Sequence, residues 1–334
     1  MHQLTNDGPL VAFTASSEAG GTQDLWYGDL RNGSAKIVYS TPKVANADTG
    51  LGLVQLVDGK LVWLEFAWGV PLQSATEWWV KRMDVPNGKV RVLAHGLAPS
   101  KGGAKYVSGI GFDGSQIVLS EILANGKFQM EQLDAEGRHL RTIPVSREVF
   151  EFAFVPDGLI YTAGKYDDSI SGFGQMHTFR WTKASGSQEI GTDAFAVAAE
   201  GSLAAWVVDV PASQYTTGPL LASRLFATNG DYSAATPISP VADHKPTIGI
   251  RAISVGSDHV VWWELEDDGC CGGNDGRIVL TVWRPGWQSP VQVATDGESY
   301  DLSVKNGWLV WFEMFGRDTE RLRAIPLSVL DGAV

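Results

Sequence analysis

The chain has 334 residues, of which 44% are hydrophobic, and its 38 acidic and 26 basic side chains give a formal net charge of −12. This acidity, with no run of Lys or Arg, argues against nucleic-acid binding, which requires clustered cations. No apolar stretch reaches the roughly 20 residues of a membrane-spanning helix, so we expect no membrane span. Thirteen Trp against five Met are typical of a β-rich protein whose aromatic side chains fill the space between sheets.

A repeated unit organises the chain. In each copy an alternating strand leads to a short turn containing glycine, and an apolar strand follows, as in "DGPLVAF", "DGKLVWLE" and "NGWLVWFE". Glycine adopts positive φ at little cost, so these pairs predict tight turns between two strands. The glycines that mark the seven copies recur at intervals of roughly 43 to 55 residues: Gly8, Gly59, Gly114, Gly158, Gly201, Gly256 and Gly307.

Each copy is long enough for four short strands. After the second strand come a variable loop, a third alternating strand such as "EWWVKRMDV", and a short fourth strand such as "KIVYS" or "LRTIPV". Repeated four-stranded antiparallel units are typical of a β-propeller, because stacking the sheets buries both of their apolar faces. We therefore predict an all-β fold: one β-propeller domain over residues 1–334, with seven four-stranded antiparallel blades around a central channel.

The same strands resemble a known group of repeats. The turn "DG" followed by "LVW", and the strand "DLWYGDLRNG", are similar to the TolB-like or WD40-like repeats of bacterial propellers. The resemblance implies a fold rather than a function, since propellers host many unrelated functions. We expect a monomer in an extracytoplasmic location (periplasmic, secreted or surface-attached), although the N-terminal residues show no signal peptide. We also expect the two termini to pair in one blade, which would remove an open sheet edge.

The long, irregular segments of each copy are expected on one face of the propeller. In an antiparallel meander, the loops between second and third strands share a face with the connections between blades. Loops on a rigid scaffold commonly carry function, and aromatic rings beside polar groups suit a sugar or a peptide. The predicted ligand-binding residues are Trp68, His95, Tyr166, Asp167, Asp168, Tyr215, His244, Asp267, Asp268 and Phe315.

Four glutamates end the second strand in four of the copies, in "LVWLE", "IVLSE", "VVWWE" and "LVWFE": Glu65, Glu121, Glu264 and Glu313. One interpretation is a set of carboxylates at the channel mouth that binds a cation or supplies an acid/base pair. The other is a structural repeat, in which each carboxylate accepts hydrogen bonds from loop amides or pairs with Lys or Arg of a neighbouring strand. No metal-ligand spacing is present, and no cofactor is predicted; a divalent cation such as calcium in the channel stays open.

The two cysteines of the chain, Cys270 and Cys271, are adjacent within "ELEDDGCCGGNDGR". Adjacent thiolates do not fit a tetrahedral zinc site, and the flanking acids lack the spacing of an EF-hand loop. Two interpretations remain: a vicinal disulfide that stiffens the loop, or a pair of reduced thiols. The disulfide is favoured because the flanking glycines lower the backbone cost.

These patterns lead to three functional hypotheses. The first is a non-catalytic binding module that recognises a protein or glycan ligand on its long-loop face. The sequence leans against an enzyme, because it contains no Ser nucleophile elbow, no P-loop and no paired-histidine metal motif. The alternative is a glycoside hydrolase or lyase in which Glu65, Glu121, Glu264 or Glu313 is catalytic. The third is a propeller that serves as scaffold or regulatory cap of a larger protein.

Overall fold

The computed structural model describes fourteen segments of the chain. They are residues 3–16, 22–43, 47–69, 77–97, 106–123, 125–164, 176–192, 194–211, 221–232, 234–239, 249–266, 277–293, 298–315 and 319–332. By contacts, the chain divides into two compact units, Met1–Phe150 and Glu151–Val334, and each is described by itself. The single domain expected over residues 1–334 stays a prediction.

The sheets are the seven blades of a β-propeller, which confirms the predicted all-β fold and the blade count. The first unit contains three four-stranded blades. Blade 1 is β1 (Leu4–Asp7), β2 (Leu10–Ser16), β3 (Gln23–Asp29) and β4 (Ser34–Ser40). Blade 2 is β5 (Ala47–Val57), β6 (Lys60–Gly69), β7 (Glu77–Asp84) and β8 (Arg91–Leu97). Blade 3 is β9 (Tyr106–Phe112), β10 (Gln116–Ile122), β11 (Phe128–Asp134) and β12 (His139–Val145).

The second unit holds blades 5 to 7 and most of blade 4. Blade 4 is β13 (Glu148–Val155), β14 (Gly158–Gly164), β15 (His177–Thr182) and β16 (Gly186–Thr192). Blade 5 is β17 (Ala194–Glu200), β18 (Leu203–Pro211), β19 (Leu221–Asn229) and the two-residue β20 (Thr236–Pro237). Blade 6 is β21 (Gly249–Gly256), β22 (His259–Glu266), β23 (Arg277–Trp283) and β24 (Val291–Val293). Blade 7 is β25 (Glu298–Lys305), β26 (Trp308–Phe315) and β27 (Thr319–Pro326), followed by helix α1 (Leu327–Asp331).

Each described sheet consists of consecutive strands in the order in which they occur in the chain. The strand β1 pairs with β2 in blade 1, and the last sheet contains three strands, β25 to β27. The expectation that one blade combines both termini is therefore wrong for the described residues. The five-residue helix α1 follows β27, and its Leu327 and Leu330 are buried.

The tight turns between first and second strands use glycine in two different ways. Asp58 and Gly59 have φ of 50° and 68°, so both adopt the left-handed conformation, as the "DG" pattern predicts. In blades 4 and 6 the marker glycine instead lies within a strand, at the start of β14 and the end of β21. A Cβ on Gly158 would lie 1.9 Å from the Trp181 carbonyl oxygen, and one on Gly256 would lie 2.0 Å from that of Val304. Close approach of two backbones, not positive φ, requires glycine at these two positions.

Apolar side chains fill the space between neighbouring blades within each unit. In the first unit, Leu25, Leu61 and Trp63 are fully buried in a cluster between blades 1 and 2. In the second unit, Ile160 of blade 4 packs with Trp206 of blade 5. Because burying a Leu or Ile side chain contributes roughly 2 kcal/mol, these layers hold neighbouring blades together.

Side chains of the first strands also bond to the backbone of the next blade. The Thr5 hydroxyl accepts a hydrogen bond of 3.3 Å from Leu56 N, and the Ser254 hydroxyl accepts one of 3.1 Å from Val304 N. The Glu151 carboxylate accepts one of 3.0 Å from Val197 N. Polar residues on these otherwise apolar strands therefore satisfy backbone donors between blades.

Candidate functional site

The four glutamates that end second strands are all buried. Glu65, Glu121, Glu264 and Glu313 are 1%, 2%, 7% and 2% exposed, respectively. A buried carboxylate is stable only if other groups compensate its charge and fill its hydrogen-bonding capacity. The partners of each glutamate therefore determine what chemistry remains available to it.

A Trp two residues earlier is the first of these partners in blades 6 and 7. The indole Nε1 of Trp262 donates to Glu264 over 2.5 Å, and that of Trp311 donates to Glu313 over 2.9 Å. Residues i and i+2 of a strand point to the same face, so the Trp-x-Glu spacing brings the indole and the carboxylate within reach of each other. In blade 3, where Leu119 replaces the Trp, Gln129 of the next strand donates to Glu121 over 2.6 Å.

Glu65 in blade 2 has a denser set of partners. The Lys81 ammonium donates to Glu65 Oε1 over 2.7 Å, and the Tyr39 hydroxyl donates to Glu65 Oε2 over 2.6 Å. Lys81 also donates to the Tyr39 oxygen over 2.9 Å, which closes a three-membered network. Burial and the adjacent Glu65 carboxylate both raise the pKa of Tyr39, so its hydroxyl stays protonated well above neutral pH. The Nε1 of Trp63, the Trp of this Trp-x-Glu pattern, has no hydrogen-bond partner in the described structure.

Glu313 in blade 7 pairs with a cation at the equivalent position. Arg323 Nε donates to Glu313 Oε2 over 2.9 Å, while the Arg323 side chain remains 37% exposed. Arg323 lies opposite Trp311 on the next strand, just as Lys81 lies opposite Trp63. In both blades, then, the third strand supplies a positively charged side chain that pairs with the glutamate of the second strand. This geometry corresponds to the structural interpretation of the repeat at these two positions, while a catalytic role stays untested.

Of the predicted ligand-binding residues, His95 has the clearest surroundings. Its ring stacks on Trp79 at a centroid distance of 5.4 Å, and its Nε2 lies 2.7 Å from Glu77 Oε1. Both members of the His95–Glu77 pair are exposed, and Trp79 is partly buried. The antiparallel register of β7 and β8 places Trp79 directly opposite His95, so the pair is a cross-strand contact on the outer part of blade 2.

Of the other predicted ligand-binding residues, only Trp68 and Phe315 lie within the described segments. Trp68 and Phe315 lie at the ends of β6 and β26, in the expected loop-proximal positions. The remaining predicted residues lie outside the described segments, as does the cysteine pair: Tyr166, Asp167, Asp168, Tyr215, His244, Asp267, Asp268, Cys270 and Cys271. Among the described residues, no group of three or more His, Cys, Asp or Glu could hold a metal ion. No helix in the described segments is long and apolar enough to cross a membrane.

Sequence reasoning missed two carboxylates on the first strand of blade 4. Burial raises the pKa of both Glu148 and Glu151; for Glu151 the hydrogen bond from Val197 N opposes this effect. Glu151 is exposed on the first strand of blade 4, and its carboxylate accepts the hydrogen bond from Val197 N of blade 5. The signal in the sequence was the strand "EVFEFAFV", where acids interrupt an otherwise apolar first strand.

Comparison with known proteins gives no match in sequence. No family model matches the chain, and no curated protein matches it. Solved structures do match its fold. The β-propeller domain of the trilobed protease from Pyrococcus furiosus has a TM-score of 0.66 and 12% identity, covering 97% of this chain and 96% of that chain. That propeller has an open velcro topology.

Two complete peptidases match over nearly the whole chain. The acylaminoacyl peptidase of Pyrococcus horikoshii has a TM-score of 0.62 and 11% identity, covering 100% of this chain and 54% of that chain. A puromycin-hydrolysing peptidase of Mycobacterium tuberculosis has a TM-score of 0.62 and 10% identity, covering 98% of this chain and 51% of that chain. The present chain therefore spans about half the length of these peptidases. These likenesses confirm the resemblance to propeller repeats at the level of the fold.

The comparisons correct the functional prediction. A non-catalytic module for a protein or glycan ligand is wrong as the leading hypothesis, because these structural neighbours are a protease propeller domain and two peptidases. The alternative, a glycoside hydrolase or lyase that uses Glu65, Glu121, Glu264 or Glu313, finds no support in them either. The physical reason for the error is that a propeller repeat encodes blade packing and strand pairing, which say little about the attached chemistry.

Proposed function

We propose that this chain is a peptidase-associated propeller, which works together with a peptidase domain carried on the same polypeptide or on a separate one. The observation that carries the proposal is the extent of the structural match. Nearly all of this chain corresponds to about half of each complete peptidase, and to nearly all of a protease propeller domain. At 10–12% identity the match supports the fold, and the link to a peptidase is our inference from it.

The surroundings of the second-strand glutamates are in keeping with this proposal. Glu65 is enclosed by Lys81 and Tyr39, and Glu313 accepts hydrogen bonds from Trp311 and Arg323. Carboxylates used in this way stabilise blades and are poor candidates for general acid/base catalysis, which needs a group that can reach a substrate proton. Peptide-bond chemistry would then reside in the peptidase domain, and the propeller would contribute to holding or admitting the peptide.

Several predictions from the sequence accompany this proposal. We retain the extracytoplasmic location, the monomeric state of the propeller and the vicinal disulfide of Cys270 and Cys271. We also retain the irregular loops as the surface that meets the peptidase or its peptide. Alkylation of the native protein with and without reduction, followed by mass spectrometry, tests the disulfide: labelling of both thiols without reduction would contradict it.

Co-purification combined with activity measurement tests the proposed function. The protein is tagged in its native cells, cross-linked, purified and assayed for hydrolysis of N-acyl-aminoacyl and peptidyl p-nitroanilides. We expect hydrolysis that follows the tagged protein through size exclusion, and a peptidase among its cross-linked partners or on its own polypeptide. Purified fractions with no hydrolysis above that of an untagged strain would refute the proposal.

A further inference from the structure

The seam between blades 4 and 5, within the unit Glu151–Val334, collects buried hydrogen-bond donors that have no partner. They are the hydroxyls of Thr162, Thr178 and Tyr232 and the Nε atoms of Arg180 and Arg224. Thr162 and Thr178 are each 0% exposed, and Tyr232 is 8% exposed. Buried polar atoms of native proteins are nearly always bonded, and a group of exceptions in one place calls for a partner such as an ion or water.

Strand register places the blade 4 members of this group on one face. Thr162 of β14 lies directly opposite Thr178 of β15, so their side chains are neighbours across the strands. Arg180 follows two residues after Thr178 and therefore points to the same face. Its guanidinium lies 4.8 Å from the centroid of the Tyr232 ring, which belongs to blade 5. These four residues thus line one continuous strip of the seam.

Blade 5 adds further donors to the opposite wall. The indole Nε1 of Trp206 would lie 3.2 Å from a Cβ placed on Gly191, and Thr178 Cβ would lie 3.7 Å from the same point. The Trp206 indole and Thr178 therefore both lie directly over Gly191, where even a methyl group would be a tight fit. Arg224 lies on the same face of β19 as Phe226, which packs against the cluster of Ile160, Trp206 and Tyr232.

The described side chains of this strip carry two positive charges and one negative charge, although the chain as a whole carries −12. The described charged groups of the strip are Arg180, Arg224 and Asp157. The Asp157 carboxylate accepts a hydrogen bond from Arg180 Nη2, while Arg180 Nε has no partner. Burial and Asp157 raise the pKa of Tyr232 while Arg180 lowers it, with a net increase, so the hydroxyl remains a donor at neutral pH. Apart from Asp157, each of these described groups can donate a hydrogen bond, and the two arginines exceed the single aspartate by one positive charge.

We propose that this seam binds a small oxyanion, a carboxylate or a phosphate-type anion. The Arg180 guanidinium supplies the charge, and the hydroxyls of Thr162, Thr178 and Tyr232 donate to the anion oxygens. Arginine presents planar, fixed donors that suit oxyanions, and hydrogen bonds to a charged acceptor are the stronger kind. The Arg180 side chain is 24% exposed, which makes it the point of entry from solvent. The proposal stands whether or not the propeller accompanies a peptidase.

Thermal unfolding of the full chain in different sodium salts tests the proposal. Phosphate, sulfate and acetate are each titrated against sodium chloride at matched ionic strength and pH 7. We expect a saturable rise in Tm with at least one oxyanion, since a ligand that binds only the folded state stabilises it. Comparison of acetate with phosphate and sulfate then identifies the preferred anion class, and a tripeptide with a free or an amidated C-terminus tests a peptide carboxylate. Absence of a saturable shift with all of these anions would overturn the proposal.

Paired variants distinguish anion binding in the seam from general effects of salt on Tm. Arg180→Gln should abolish the anion-dependent shift, whereas Arg284→Gln, which removes a cation bound to Asp331 elsewhere in the same unit, should leave it unchanged. Thr178→Val should weaken anion binding by about tenfold or more, as expected for a lost hydrogen bond to a charged group. Thr281→Val is its matched control, because Thr281 is equally buried and also lacks a partner but lies in blade 6. An anion-dependent shift that persists in Arg180→Gln would overturn the proposal, and so would equal responses of the two Thr variants.

Discussion

The Glu65 and Glu313 sites share a strand pattern and differ in their surroundings. Each glutamate follows a Trp by two residues. Each also pairs with a basic residue of the next strand, Lys81 for Glu65 and Arg323 for Glu313. At Glu65 the Lys81 side chain is 11% exposed and a tyrosine from blade 1 completes the network, while the indole of Trp63 has no described partner. At Glu313 the base is 37% exposed, and the indole of Trp311 is the buried donor. The repeat thus fixes the place of the carboxylate, and neighbouring residues decide which group compensates it.

Removal of the basic side chain that pairs with the glutamate should have the largest effect on the free energy of unfolding. The loss should be much larger for Lys81 in blade 2 than for Arg323 in blade 7. Lys81→Met leaves the Glu65 carboxylate buried with Tyr39 as its described donor, and breaking a buried ion pair costs about 3–5 kcal/mol. Arg323→Met should cost about 1 kcal/mol or less, because the pair is partly exposed and Trp311 still donates to Glu313. Urea unfolding at pH 7 measures both values. Equal losses would contradict the difference in burial between the two sites.

Removal of the Tyr39 hydroxyl should have the second largest effect. Tyr39→Phe loses the donor to Glu65 and the acceptor for Lys81, and a hydrogen bond to a charged group contributes about 1.5–3 kcal/mol. Unchanged stability of this variant at pH 7 would show that the hydroxyl contributes nothing to the network.

The same tyrosine predicts a dependence of stability on alkaline pH. Its pKa in the folded protein is raised, so above pH 10 the unfolded chain releases this proton first. Folding stability is therefore fully present below pH 10 and falls as the pH increases beyond it. Urea midpoints between pH 9 and pH 11 should decline less steeply for Tyr39→Phe than for the natural protein. An equally steep decline in both proteins would assign the effect to other groups.

Replacement of the indoles should separate packing from hydrogen bonding. Trp311→Phe and Trp63→Phe both remove ring volume, but only Trp311 loses a hydrogen bond, the one to Glu313. We therefore expect Trp311→Phe to cost about 1–2 kcal/mol more than Trp63→Phe in urea unfolding. A larger loss at Trp63 would show that cavity formation outweighs the hydrogen bond.

The exposed pair at the outer part of blade 2 should have the smallest effect. His95→Ala removes a polar contact with Glu77 whose side chains are 46% and 42% exposed, and such exposed pairs contribute about 0–1 kcal/mol. We expect a urea midpoint within error of that of the natural protein. A clear loss would indicate that stacking on Trp79 stabilises the blade.

The fold was predictable because the pattern of each repeat depends on residues that are close together in the sequence. An alternating strand, a turn and a second strand need only neighbouring residues, so the seven blades follow from the sequence. The reason why a position requires glycine was not always predictable. A side chain at Gly158 or Gly256 would clash with the carbonyl group of Trp181 or Val304, and the sequence pattern alone does not reveal such close approaches.

The site was less predictable, because its partners come from other parts of the chain. The pattern identified Glu65, but Tyr39 reaches it from the preceding blade, and no spacing rule connects the two residues. Glu151 was missed because an acid on a first strand resembles an ordinary exposed residue until the strand packs against Val197 of the next blade. Thr178 and Arg180 look like routine strand residues until the unpartnered Thr178 hydroxyl and Arg180 Nε are seen in three dimensions.

The construction of each described sheet from consecutive strands has a consequence for how the protein folds. Paired residues in such a sheet are close in sequence, so closing the intervening loop costs little chain entropy. Folding rates increase as contacts become more local, and a sheet can form as soon as its own segment of about 50 residues is available. We expect blades to form one after another during synthesis, each using its predecessor as a template for packing.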